Sequence, residues 1–174
     1  MIKAIYGKDK ILMFRLLEND TQEKATKLAL QTEHTLSYEN NVDTTQTKDG
    51  AVTSNGGTEV TLEINAIASH DDVNKMLEKS VIEHKELECW EVDLSEPTED
   101  GKYPAKYMQG KLENWESPAN VEELTEISTT MKIDGIPQDG YATVSKDQEK
   151  AILYAFRDTT IFEGEDNTTE TEIA

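Results

Sequence analysis

A mainly β fold, a β-sandwich or partly open barrel with one flanking α-helix, is predicted by three features. Two runs alternate with period two, glycine-bearing turn signals punctuate the chain, and one stretch is a capped amphipathic helix. In the first run, Thr26–Tyr38, the even positions include Leu28, Leu30, Leu36 and Tyr38, and the odd ones Gln31, Glu33, Thr35 and Ser37. In the second, Thr58–Ala66, Val60, Leu62 and Ile64 alternate with Glu59, Thr61, Glu63 and Asn65. Successive strand side chains point to opposite faces, so each run buries one side and offers water hydroxyls, amides and carboxylates. A sheet with one dry face and one polar, acidic face suits a water-filled wall.

Strands are expected at 11–17, 26–38, 58–67, 86–94, 103–116, 121–133 and 141–145. Asp49-Gly50, Asp100-Gly101, Asp134-Gly135, Asp139-Gly140 and Asn55-Gly56-Gly57 mark reversals between them. Within 103–116 the apolar parity changes from Tyr103, Ala105 and Tyr107 to Met108 and Leu112, and a bulge at Gly110 would account for it. Residues 39–57 read as a polar loop far too long for a hairpin, with only three aliphatic side chains. Long structureless loops are uncommon in compact domains. This one is either a surface excursion or an arm that orders against a neighbouring copy.

Ser69 is the expected N-cap of the helix, with Asp71 and Asp72 in its first turn, where the helix dipole favours negative charge. Val73, Met76, Leu77, Ser80 and Val81 form one stripe that can cover a sheet, and His84 and Lys85 fall in the last turn. A segment from Ser145 through Phe156 fits helix and strand equally well. No period of about 20–50 residues recurs, which excludes solenoids and propellers.

The 174 residues set one domain, and 36 acidic against 17 basic residues give a formal charge of −19. Such a chain repels phosphates, which argues against reading or wrapping nucleic acid. The charge serves either solubility or a surface that DNA passes without sticking. The lone Cys89 cannot form an internal disulfide and is expected to pack as a small hydrophobe. The longest apolar stretch, Ile11–Leu17, contains Arg15 and is too short for a membrane span, so a soluble protein made in the cytoplasm is expected. Lys3, Lys8, Lys10 and Arg15 make the start basic, either as ordinary surface charge or as a seat for another copy. The last 17 residues carry six carboxylates and no Lys or Arg, and an acidic flexible tail is expected there.

Motifs for catalysis are missing: there is no G-x-S-x-G, P-loop, G-x-G-x-x-G or H-E-x-x-H. His34, His70 and His84 lack ligand spacing, and Asp43–Gly50 fails the calcium-loop pattern. Glu33 with Glu63 is a chance carboxylate pairing in so acidic a chain. Trp90 and Trp115 either pack in the core or, if exposed, stack a sugar, and their apolar neighbours favour the core. No enzyme, metal or cofactor is expected.

Gln31–Gly50 resembles the strand and loop of major tail tube proteins from long, non-contractile tailed bacteriophages. So do Tyr103–Glu116 and Ile133–Val144, and Tyr154-Ala-Phe156 with Asp158 is similar to the family's closing element. The resemblance implies a phage tail tube fold assembled as six copies per ring, with rings stacked into a tube. Its bore would hold a tape measure protein and later conduct DNA, without specific binding and without a membrane. Further partners implied are the tail terminator and distal tail proteins, and the site is the virion tail, assembled in the host bacterial cytoplasm.

Carried onto this chain, Gln31, Glu33, Thr35, Ser37, Glu59, Thr61, Glu63 and Asn65 become lumen-facing. Asn41, Asp43, Thr44, Thr45, Thr47, Lys48, Asp49 and Gly50 become the assembly loop, and Val73, Met76, Leu77 and Val81 pack the helix. The tube domain is expected to span 1–162, with 163–174 as the acidic tail. Two rival readings are the inner tube protein of a contractile tail or injection system and a carbohydrate-binding β-sandwich, which predicts monomers.

Overall fold

A computed structural model describes residues 2–145. The chain divides after Thr143, and the unit Met1–Thr143 carries the sheet. The helix-or-strand segment running to Phe156, the boundary at 162 and the acidic tail lie outside the described residues.

Among the described residues eight strands follow in order: β1 (Lys10–Leu16), β2 (Thr26–Lys27), β3 (Gln31–Thr47), β4 (Gly50–Ile67), β5 (Leu87–Asp93), β6 (Tyr103–Leu112), β7 (Glu126–Ile133) and β8 (Gln138–Ala142). All pairings are antiparallel, and one open sheet runs β2-β1-β5-β6-β7-β4-β3, with β8 added to β6. The mainly β expectation holds. The sheet folds over a single core, because Leu12 and Phe14 of β1 and Leu87 and Cys89 of β5 cluster with Leu62 and Ile64 of β4 and Ile127 and Met131 of β7. These residues occupy alternate positions, which is how each strand turns one face inward. Cys89 is fully buried there, and burial pushes its thiol pKa well up, so it packs as an apolar group.

The helix α1 (Asp72–Ile82) covers this core through Val73 and Leu77, with Met76 and Val81 packed partly buried against it. Its cap is Asp71, two residues later than the expected Ser69. Asp71 Oδ1 accepts from the Asn74 amide at 2.7 Å, while Ser69 Oγ donates to Asp71 Oδ2 at 2.6 Å. A carboxylate meets the helix dipole with full charge, so Asp71 takes the cap and Ser69 orients it. Burial opposes ionisation of Asp71, but the bonds from Ser69 and Asn74 hold its pKa below the ordinary value. His84 lies past the last turn with φ +56, and the Lys85 amide reaches back to the Ser80 carbonyl at 3.0 Å. That is a Schellman-type stop with a non-glycine residue in the left-handed position.

Several strand expectations change: the last strand is Gln138–Ala142 instead of 141–145, so Asp139-Gly140 lies within it, and Asn55-Gly56-Gly57 lies within β4. The expected strand 26–38 breaks at Leu28–Leu30: Leu30 has φ +51 and is exposed, whereas Leu28 is fully buried. The chain there leaves β2 at one end of the sheet and starts β3 at the other. The strand expected from 121 begins at Glu126, and Val121 and Leu124 are exposed. Gly110 makes no bulge, since β6 pairs regularly with β5 from Ala105↔Val92 to Gly110↔Leu87. The change of parity has another cause. Tyr107 lies on the face of Trp90, and Met108 on the core face of Cys89.

Candidate functional site

The β3–β4 register makes the polar face explicit. Glu33 lies opposite Asn65, Thr35 opposite Glu63, Ser37 opposite Thr61, and Glu39 opposite Glu59. Their neighbours His34↔Ile64, Leu36↔Leu62 and Tyr38↔Val60 point to the other face. Glu33, Thr35, Ser37, Glu59 and Glu63 are exposed, while Thr61 and Asn65 are half-buried. Seven of the eight sequence-designated residues thus share one face. The eighth, Gln31, does not.

A register shift between Gln31 and Glu33 places Gln31 opposite Ala66, on the core side. One extra residue in a strand reverses parity beyond it, which strict alternation from Glu33 could not foresee. The Gln31 side chain instead imitates a peptide group. Its Oε1 accepts from the Leu12 amide at 2.9 Å, and its Nε2 donates to the Leu12 carbonyl at 2.9 Å and the Leu28 carbonyl at 2.8 Å. Gln31 therefore stitches the β1 edge to the start of β3, where the sheet would otherwise gape.

Sequence reasoning missed a third strand of this face. Across from Thr61, Glu63 and Asn65 stand Lys132, Thr130 and Ser128 of β7. The alternation of Ile127, Thr129, Met131 and Ile133, all buried, with these polar residues was the available signal. The face is consequently a mixed surface of carboxylates, hydroxyls, amides and Lys132.

Residues 39–57 are not a loop. They are the outer part of a β3–β4 hairpin whose pairs continue from Glu39↔Glu59 to Thr47↔Gly50, about 27 Å at the usual antiparallel rise. Only Lys48 and Asp49 form its turn, and Gly50 follows with φ +126. Thr47 Oγ1 donates to the Gly50 carbonyl at 2.7 Å and accepts from the Asp49 amide at 3.3 Å. Asn41, Asp43, Thr44, Thr45 and Thr47 lie along this arm and are exposed. Asn41 sits in a second register shift, and a Cβ at Gly56 would meet Asn41 Cβ and O at 2.9 Å, so the glycine permits the bend. Both faces of the arm are wet, which erased the alternation that marks a half-buried strand. The surviving signal was the density of β-branched threonine and valine.

Behind the polar face, β3 is tied to the far half of the sheet. His34 Nε2 lies 2.9 Å from Glu91 Oε2, and Lys10 Nζ donates to Glu91 Oε1 at 3.0 Å. Glu91 is 7% exposed. Burial pushes its pKa up, but the bonds from His34 and Lys10 prevail and hold it below the ordinary glutamate value. A depressed carboxyl pKa contributes stability that is present above the unfolded value and is lost as pH falls through the folded one. Glu91→Gln is therefore expected to lower stability at pH 7 by about 1–3 kcal/mol, the cost of weakening a buried charged bond. The gap to wild type should close as the pH falls below about 4. Urea unfolding at pH 7 and pH 3.5 measures both, and an equal gap at the two values would refute this role.

The other face of β5 carries a second cluster. Arg15 Nε donates to Glu88 Oε2 at 2.6 Å, Tyr107 Oη donates to Glu88 Oε1 at 2.6 Å, and the Arg15 guanidinium lies 5.2 Å from the Trp90 ring centroid. Trp90 is half-buried on the face away from the core, with the Arg15 guanidinium over its ring and the Tyr107 ring tilted against it at 5.2 Å, while Trp115 packs partly buried against the core, so Trp90 departs from the core packing its neighbours suggested. Three of the four basic residues near the start are held within the chain: Lys3 by Glu96, Lys10 by Glu91 and Arg15 by Glu88. Among the described residues no cluster could hold a metal ion.

The family model for phage tail tube proteins matches residues 4–139. The chain belongs to that family. A protein described as a tail protein from Staphylococcus phage phiMR25 is 33% identical over 159 residues, which are 87% of this chain and 81% of that one. The SPP1 tail tube structure matches with a TM-score of 0.72 at 20% identity, over 93% of this chain and 96% of that one. A chain from the virion of a native gene transfer agent particle matches at TM-score 0.57 and 12% identity, over 79% and 99%. These structures share the tail tube fold. The family member described here is accordingly a structural component of the virion tail, and none of its described helices is long and apolar enough to cross a membrane.

Proposed function

We propose that this tail tube protein assembles into rings of six copies that stack into a tube, with the polar face of β3, β4 and β7 lining the bore. The observation that carries the reading is that face itself. Seven of the eight polar residues singled out in the two alternating runs stand together on it, backed by a continuous apolar core. In a closed ring the open β3 edge would be covered, removing a surface that invites indiscriminate pairing. The bore first holds the tape measure protein and later conducts DNA. Glu33, Glu59 and Glu63 repel the phosphate backbone, and only carboxylates near the bore act, because screening decays over about 8 Å at physiological salt. The β3–β4 arm reaches between copies, where its threonines and asparagines supply adaptable hydrogen bonds. Assembly takes place in the host bacterial cytoplasm, and the tail terminator and distal tail proteins close the ends.

Negative-stain microscopy of the purified chain at high concentration tests the reading: rings or tubes are expected, and dispersed monomers would contradict it. Deleting residues 42–54 is expected to leave a folded monomer while abolishing tubes, because the arm lies beyond Val60, the outermost core residue of the hairpin. Tubes of normal length from the deleted chain would remove the arm from the assembly mechanism.

A further inference from the structure

Like charges stand directly opposite each other at two places on the polar face. Glu39 is opposite Glu59 on the β3–β4 flank, and Lys111 is opposite Lys132 on the β6–β7 flank. All four are exposed. They share one face, because Lys132 lies opposite Thr61, two residues along β4 from Glu59. Like charges directly opposite across strands destabilise a sheet. Glu39, Glu59 and Lys132 have no ion pair among the described residues, and Lys111 has a half-exposed one with Glu86 at 3.4 Å. A surface pair of that kind contributes little. Within one copy both arrangements therefore cost stability.

The same two flanks are where the sheet is unfinished. β3 ends the strand order, so one of its edges carries unpaired peptide groups. β5 pairs with β6 only as far as Leu87↔Gly110, so that side of β6 has no β5 partner at Lys111 and Leu112. Resting on the tube reading above, we infer that the β3 edge of one copy lies beside the open side of β6 in the next, with Glu39 facing Lys111 of the partner subunit and with Glu59 and Lys132 of the partner subunit one strand behind them. Diagonal neighbours on adjacent strands lie about 7–8 Å apart, within reach of long side chains, so an offset of one step along the strands does not separate Glu39 from Lys111. The opposite charges of the neighbouring copy offset both repulsions. Assembly is favoured and the lone chain is not.

The test uses two charge-reversed full-length chains, Glu39→Lys with Glu59→Lys and Lys111→Glu with Lys132→Glu, beside wild type. Each alone presents like charges at every junction. Each is expected to need at least about tenfold more protein than wild type to form tubes, equivalent to about 1.4 kcal/mol per junction. An equimolar mixture of the two should recover tubes, since alternating copies restore opposite charges at every junction of an even-membered ring. Misfolding of either variant could not produce that recovery. The pairing is overturned if either variant assembles like wild type, or if the mixture assembles no better than its components. Wild type that never forms rings or tubes would overturn the tube reading, and this junction with it.

Discussion

Gly110→Ala is expected to destabilise the fold by about 3 kcal/mol, at the upper end of the usual cost of forcing atoms into a packed interior. For a domain of this size that corresponds to a fall in Tm of about 6–12 °C. A Cβ on Gly110 would stand 2.0 Å from the Lys132 carbonyl oxygen and 3.1 Å from Ile133 Cα. Both obstacles are backbone of the adjoining strand β7, held by its pairing with β4, so neither can rotate aside. The position is also buried and paired on both sides, to Leu87 and to Ile133. Gly57→Ala is the control, because nothing lies within 4 Å of its added Cβ. It should stay within about 0.5 kcal/mol of wild type. Thermal unfolding followed by circular dichroism compares the two. Equal midpoints would mean that the close approach of β6 and β7 is unimportant.

The second large effect is functional. In particles whose tubes carry Glu33→Lys and Glu63→Lys together, DNA is expected to eject at least about tenfold more slowly than from wild type. Lysines in the bore would contact phosphates and release counterions, making binding strong and steeply dependent on salt. The delay should therefore ease as ionic strength rises from about 50 to 200 mM. The matching glutamine variants separate the loss of repulsion from the gain of attraction, and a smaller delay is expected from them. Both residues stand among hydroxyls and amides, with Glu33 beside Asn65 and Glu63 beside Thr35 and Thr130. Replacing them leaves the core untouched. Normal ejection kinetics in the lysine particles at low salt would rule out electrostatic lubrication by this face.

Much of this architecture was legible in the residues. Val60, Leu62 and Ile64 alternating with Glu59, Thr61 and Glu63 identified a strand with one dry and one wet side, and the structure keeps that division. The stripe Val73, Met76, Leu77 and Val81 marked the covering face of α1 for the same reason. His34 falls on the apolar parity of its run, and it lies beside Glu91 on the inner side. Less accessible were features without a dry side. The arm 39–57 is polar on both faces, so its strands carried the composition of a loop despite nine residues before a two-residue turn and eight after it.

What the amino-acid order determined by itself is therefore the list of dry and wet faces, because period-two and helical spacing are local properties set by the backbone. What only the tertiary structure decided is which faces lie alongside one another. The bulge that turned Gln31 inward, the close approach that requires Gly110, and the joining of β3 to β5 through His34 and Glu91 all depend on register. So do the opposed Glu39–Glu59 and Lys111–Lys132 pairs. Register is a contest among pairings of residues far apart in the chain, settled by turn geometry and core packing, and no local period records its outcome.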